Sequence, residues 1–211
     1  MPLFSALEKL RRMKDLLLAT TNPGKIQEIK AILSGVPLRI LTPVEMNLRL
    51  TVPEDSNSYA GNASLKATAF ALAAGLPTLA DDSGLEVEAL GGEPGIHSHR
   101  FSPSFSASDR DRCLYLLEKL RGISCPWKAR FVCAVVVCSS TGELLRTWGE
   151  CPGEIIPEFR GSNGFGYDPI FLVSGTNKTM AELPDEQKNQ LSHRARALQA
   201  ALPGLFEFAS R

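Results

Sequence analysis

The chain has 211 residues, 44% of them hydrophobic and 22% charged, and its 23 Lys+Arg balance 23 Asp+Glu to a formal net charge of zero. That size suits one large domain or two small lobes, and the composition is that of an ordinary soluble globular chain. A neutral chain without a basic stripe offers no electrostatic case for nucleic acid or an acidic membrane surface, and no apolar run is long enough to span a bilayer.

Residues 1–13 carry scattered charges and no signal-peptide apolar core. They are expected to be an N-terminal extension, either an extra amphipathic turn or disordered, ahead of one domain over 14–208. Asp15–Thr20 (DLLLAT) predicts a short buried strand, TTNPGK a turn, and KIQEIKAIL a helix with Ile26, Ile29, Ile32 and Leu33 on one face. A second strand is predicted over Leu38–Thr42 and a polar loop over 43–58. Asn62–Ala74 is Ala-rich and helical, stopping at Gly75-Leu76-Pro77. A strand then ends at Asp81, and Leu85–Leu90 forms another. Residues 91–108 are a long loop of Gly, Pro and Ser, followed by a helix over Ser108–Gly122.

From Ala129 the pattern changes. Ala129–Ser140 is a long β run, SSTGE a turn, Glu143–Trp148 a return strand, and Ile155-Ile156 part of a further strand. RGSNGFGYDP (160–169) is a Gly-rich loop leading into a strand over Ile170–Val173, and one helix closes the chain over Asp185–Leu202. The sum is mixed α/β. The five cysteines, Cys113, Cys125, Cys133, Cys138 and Cys151, are odd in number and lack a C-x-x-C pair. They are expected to be reduced thiols, mostly core filler, with no zinc site.

Five stretches carry chemistry. In Thr20, Thr21, Asn22, Pro23, Gly24 and Lys25, a strand turns into a helix, which exposes N–H groups to an anion beside a lysine. It is not a Walker A loop, since Ala19 and Ile26 stand where Gly and Ser/Thr are required. Asp81 and Asp82 stand side by side before Ser83. On a strand they would face opposite ways, one towards Mg²⁺ or substrate and the other anchoring the loop. Lys66 lies one turn after Asn62 on the Ala-rich helix. It either snorkels from a core face or points into a cleft to neutralise phosphate. Phe165, Gly166, Tyr167 and Asp168 place rings and a carboxylate among glycines, suited to stacking on a flat base. Lys188, His193 and Arg194 form a donor-rich patch or a solvated basic face. His97 and His99 lack a third ligand and are read as loop residues. Together, the stretches point to a nucleotide with Mg²⁺.

TTNPGK, NASLKA, ADDSGLEVEALGG, GFGYDPIF and SHRARAL, in that order, resemble the Ham1-like inosine triphosphate pyrophosphatases from about Leu16 to Leu198. The resemblance implies two α/β lobes around a long curved mixed sheet with flanking helices and the active cleft between the lobes. It implies a cytoplasmic homodimer that hydrolyses ITP, dITP and XTP to the monophosphate and pyrophosphate with Mg²⁺. By the same resemblance, Thr20–Lys25 bind the triphosphate and Asp82 binds metal and acts as base, supported by Asp81. Ser83 touches substrate and Lys66 faces the phosphates, while Phe165–Asp168 stack on the base and Lys188, His193 and Arg194 read its 6-oxo edge. Glu54 is a further metal ligand.

The chain departs from the family pattern at Gly61, where an acidic residue is usual, and at PEDS, where E-E-T-G is common. Two rivals stand beside this reading. A Maf-like pyrophosphatase acting on dTTP, UTP or modified bases is opposed by GFGYDPIF and SHR. A nucleotide sensor without turnover is kept open by Gly61.

Overall fold

The structure is a computed structural model that describes residues 13–104 and 106–211. Residues 1–12, which carry the expected N-terminal extension, lie outside the described residues.

Strand β1 (Lys14–Leu18) buries Leu16, Leu17 and Leu18 completely, as a strand covered on both faces must. Helix α1 (Pro23–Ile32) opens with Pro in its first turn and Asn22 as cap, whose side chain accepts from the Lys25 N–H. After β2 (Leu38–Leu41) comes helix α2 (Tyr59–Ala74), capped by Ser58 and closed by Gly75 at φ 65°. Strand β3 (Thr78–Val87) pairs further on with the short β4 (Pro94–Gly95). Helix α3 (Asp109–Lys119) starts with a Ser108–Asp111 capping box. The hairpin β5 (Trp127–Ser139) and β6 (Gly142–Ile155), then β7 (Phe171–Val173), complete the sheet. Helices α4 (Asp185–Leu191) and α5 (His193–Ser210) follow.

The strands form one seven-stranded mixed sheet in the order β2-β1-β3-β5-β6-β7, with β4 on the edge of β3. Strand β1 runs parallel to β2 and β3, and the other pairings are antiparallel. Three apolar clusters share β3 and β5. At the start of β3, Leu79 packs with Leu16, Ile29 and Leu198 on one face, and Ala80 with Ala63 and Ala67 on the other. At its end, Leu85 and Val87 pack with Leu116, Phe131 and Phe171. Between them, the apolar layer is interrupted by Asp81, Asp82, Ser83 and Gly84.

Three expectations are corrected. The strand does not end at Asp81: β3 continues for ten residues to Val87 because β5 pairs with it throughout, from Thr78↔Cys138 to Val87↔Ala129. Glu143–Trp148 and Ile155 likewise belong to one strand, β6, templated by β5. The closing helix is two helices, since Ser192 breaks the run in extended conformation and caps α5 by accepting from the Ala195 N–H. Cys133 and Cys138 lie on opposite faces of β5, and all five cysteines are free thiols.

Helix α5 crosses the hairpin at Gly149, where a Cβ would sit 2.2 Å from the His193 carbonyl and 2.3 Å from the Ala197 nitrogen. Both neighbours are backbone and cannot turn aside. Gly149→Ala is therefore expected to lower stability by about 2 kcal/mol or more. Gly35→Ala, whose added methyl meets nothing within 4 Å, should stay within about 0.5 kcal/mol of the parent. Urea unfolding midpoints of the two variants check this.

Candidate active site

Strand β3 loses its partner on one side where the two acidic residues lie. Strand β1 pairs with it only at Leu17↔Thr78 and Leu18↔Leu79, and β4 only at Leu85 and Glu86. The open edge between them faces the end of β1 and the turn into α1, the place where open α/β sheets hold ligands. A cleft of ≈ 640 Å³ lies there, a volume suited to a small molecule. Thr20, Thr21, Asn22 and Lys25 line it from the turn, Glu54 and Lys66 from the α2 side, and Asp82 and Ser83 from β3. Phe165–Asp168 line it from the glycine loop, and Lys188, His193 and Arg194 from α4 and α5.

Asp81 and Asp82 project to opposite faces of the sheet. Asp81 Oδ2 meets Lys25 Nζ at 2.9 Å and Arg194 Nε at 3.1 Å, while its Oδ1 is buried without a partner. Asp82 Oδ2 accepts from Asn62 Nδ2 at 3.1 Å, and its Oδ1 is 3.4 Å from Lys66 Nζ. Lys66 also meets Glu54 Oε1 at 2.6 Å, so one ammonium bridges two carboxylates. Lys66 thus points into the cleft rather than snorkelling from the core.

A second group lies behind the first. Lys188 Nζ contacts Glu28 Oε1 at 2.8 Å and Asp168 Oδ2 at 2.7 Å. Arg194 spends each of its nitrogens on a protein acceptor: Nε on Asp81, Nη1 on Glu28, and Nη2 on Ser83 Oγ at 3.1 Å. Lys188, His193 and Arg194 are buried rather than a solvated face. Burial drives the His193 imidazole well below its usual range, helped by Arg194 and Lys188, and the ring stacks on Phe131 at 4.8 Å. Burial pushes Asp82 upward against the pull of Lys66 and Lys25. Burial also opposes ionisation of Asp81 and Glu28, but the cations around them win and hold both carboxylates below their ordinary values.

The glycine loop is less uniform than its sequence suggests. Phe165 is half-buried at the cleft, with Lys188 Nζ 4.9 Å and Arg194 Cζ 5.6 Å from its ring centre. The ring lies so close to the phosphate-type turn that a Cβ on Gly24 would come within 2.8 Å of it. Tyr167 is 3% exposed and donates its hydroxyl to the Ser98 carbonyl at 2.8 Å, so it plugs the core below the cleft. Asp168 is buried and accepts from the Phe165 N–H at 3.1 Å, which fixes the loop. The turn at Thr20–Lys25 satisfies part of itself: the Asn22 N–H donates to Thr20 Oγ1 and the Lys25 N–H to Asn22 Oδ1.

Gly61 is explained by packing. A Cβ there would sit 1.9 Å from Ser56 Oγ and 2.9 Å from Ser58 Oγ. The serine of PEDS occupies the space a side chain at 61 would need, and the partners of Asp82 come from Asn62 and Lys66 instead. Sequence reasoning missed Glu28, the carboxylate that joins Lys188 to Arg194. It gave Asn62 no role, although that side chain bridges the Ser56 N–H and Asp82. It also set aside His99, which lines the cleft.

Four cations face five carboxylates in this lattice: Lys25, Lys66, Lys188 and Arg194 against Glu28, Glu54, Asp81, Asp82 and Asp168. Such a cleft has no spare positive charge for a polyphosphate. Among the described residues, no cluster of three or more His, Cys, Asp or Glu side chains is arranged to hold a metal. The donor set nonetheless suits a hard cation shared with a substrate: Glu54 and Asp82 both line the cleft and converge there on one ammonium. No helix among the described residues is long and apolar enough to cross a membrane.

The sequence matches the Ham1 family model over residues 16–203. It is 47% identical over 188 residues to a dITP/XTP pyrophosphatase of Deinococcus deserti, covering 89% of this chain and 87% of that protein. It is 46% identical to a dITP/XTP pyrophosphatase of Thermus thermophilus, with 92% of both chains covered. A solved HAM1 protein from Coxiella burnetii superposes with a TM-score of 0.84 at 35% identity, covering 92% of this chain and 100% of that one. The chain belongs to the Ham1 family.

Glu28 is the part of the lattice whose removal is most informative. Glu28→Gln leaves Lys188 and Arg194 buried beside a neutral amide and is expected to cost about 3 kcal/mol. Glu28 and Asp81 both ionise more readily folded than unfolded. The stability they contribute is therefore full above about pH 5 and drains as pH falls through their folded values. The variant should lose less stability than the parent between about pH 5 and pH 3. Urea unfolding at a series of pH values measures both effects.

Proposed function

We propose that this Ham1-family chain hydrolyses non-canonical purine nucleoside triphosphates (dITP, XTP and ITP) to the nucleoside monophosphate and pyrophosphate. The observation that carries the reading is the placing of Asp82 in the cleft, with the TTNPGK turn on one side and the aromatic loop on the other. The activity for which relatives aligned over about nine-tenths of the chain are named agrees with it.

In this reading, the triphosphate lies along Thr20–Lys25 and against Lys66, and the purine stacks on Phe165. Lys188, His193 and Arg194 form the wall that meets its 6-oxo edge. Lys188 and Arg194 are cations held by Glu28, and they present donors where adenine would bring an amino group, a mismatch that rejects ATP. Asn62 and Lys66 orient the Asp82 carboxylate, which accepts a proton from the attacking water. The water oxygen bonds the α-phosphorus, the bond from that phosphorus to the α,β-bridging oxygen breaks, and pyrophosphate leaves with the electron pair. Asp82 and Glu54 would hold Mg²⁺, which when bound neutralises phosphate charge and acidifies water; Asp81, enclosed on the other face of β3, braces the strand instead. A homodimer working in the cytoplasm belongs to the same reading.

The reading is tested by product analysis with ITP, ATP and dTTP in the presence of Mg²⁺. IMP and pyrophosphate from ITP, with ATP and dTTP nearly untouched, is the expected result. IDP and orthophosphate would move the attack to the γ-phosphorus and overturn the geometry. Asp82→Asn is expected to lower kcat by at least about 10²-fold without unfolding the chain. A near-parental rate would remove Asp82 from the chemistry, and ITP binding without turnover in the parent would favour the sensor.

A further inference from the structure

Gly166 sits next to Phe165 with φ 64°, after glycines 161 and 164, which also take positive φ. A loop of this kind has little stiffness of its own. Its peptide groups at Gly166 are held from a single helix. The Gly166 N–H donates to Asp109 Oδ2 at 2.7 Å, and the Gly166 carbonyl accepts from Cys113 Sγ at 3.4 Å. Asp109 and Cys113 are one turn apart on α3, and so present their side chains on one face.

The holder is itself fixed. The other Asp109 oxygen is paired with Arg112, which also donates to the Ala107 carbonyl at 2.6 Å. The capping box at Ser108 and Asp111 sets the start of the helix. Phe165 is thus gripped on both sides. Its own N–H is taken by Asp168, and the next N–H by Asp109. Asp168 belongs to the charge lattice already described. Asp109 comes from a separate element, and no step of the proposed hydrolysis uses it.

We propose that Asp109 is a positioning residue for purine recognition: by holding the Gly166 N–H it keeps the Phe165 ring set before the base arrives. The inference rests on Phe165 being the stacking face. A ring ordered in advance spares the nucleotide the entropy of ordering the loop. Loss of the tether should weaken interactions made through the base and leave those made through the phosphates alone.

The test compares two ligands by calorimetry: a non-hydrolysable α,β-methylene analogue of ITP and inorganic tripolyphosphate. Asp109→Ala should weaken the analogue about tenfold and leave tripolyphosphate unchanged. Asp109→Asn retains an oxygen acceptor for the Gly166 N–H and should bind the analogue within about threefold of the parent. With ITP as substrate, Asp109→Ala should raise KM with little change in kcat. Should the alanine variant not fold, Asp109→Glu moves the acceptor by one methylene, keeps the charge at the helix start, and carries the same two-ligand test. Unchanged analogue binding, or equal loss for both ligands, overturns the inference. Phe165→Ala separates the two readings. If it leaves analogue binding intact, the stacking assignment fails. If it weakens the analogue while Asp109→Ala does not, the role of Asp109 alone falls.

Discussion

The site depends on the buried guanidinium of Arg194. It is 1% exposed, and its three nitrogens reach Asp81 and Ser83 on β3 and Glu28 on α1 from the first turn of α5. A carboxylate in the middle of a central strand has no water to stabilise it, and alone it would be neutralised or expelled. Asp81 is tolerated there because Arg194 and Lys25 converge on it. That same contact joins residues 113 apart in sequence and fixes how α5 lies on the sheet. The break at Ser192 then has a physical purpose: a continuous helix from Asp185 would not start a new turn at His193, and Arg194 would not be aimed at β3.

The lattice has an electrostatic consequence. Every ammonium and guanidinium in it already has a carboxylate, and the carboxylates outnumber them. Binding a nucleotide must therefore either release cations from those carboxylates or bring one in with the substrate. Lys66 is the natural candidate for release. It is held by Glu54 from a loop and by Asp82 at a longer 3.4 Å, whereas Lys188 has two short contacts at 2.7 and 2.8 Å in a more buried place. Glu54 and Asp82, freed of Lys66, are the carboxylates that would hold the proposed metal, and the ammonium would turn to phosphate.

Much of this was legible in the sequence where local chemistry is loud. The Asn22–Pro23 cap, the Ala-rich helix and the long hairpin follow from capping, composition and alternation. The errors share one cause. Asp81 reads as the end of a strand because polar and glycine residues normally end strands, yet here the tertiary pairing with β5 carries β3 straight through them. Gly84 is needed because a Cβ would meet the Gly95 carbonyl at 2.2 Å, a contact created by the arrival of β4. Glu28 was invisible for the same reason. In IQEIK it looks like any surface glutamate of an amphipathic helix, and only the folded chain brings Lys188 and Arg194 to it across some 160 residues.

The adjacent aspartates illustrate how a strand divides labour. Alternation sends neighbours to opposite faces, so two identical side chains meet different surroundings. Asp81 faces Lys25 and Arg194, is fully enclosed, and the two cations hold its carboxyl below the ordinary carboxylate range. Asp82 faces an amide and a shared ammonium at the cleft, and burial raises its proton affinity instead. Of the two, Asp82 alone lines the cleft. The pair is therefore not two copies of one function. Asp81 fastens the strand to α1 and α5, and the rigidity of that fastening is what gives the carboxylate one residue later a defined direction.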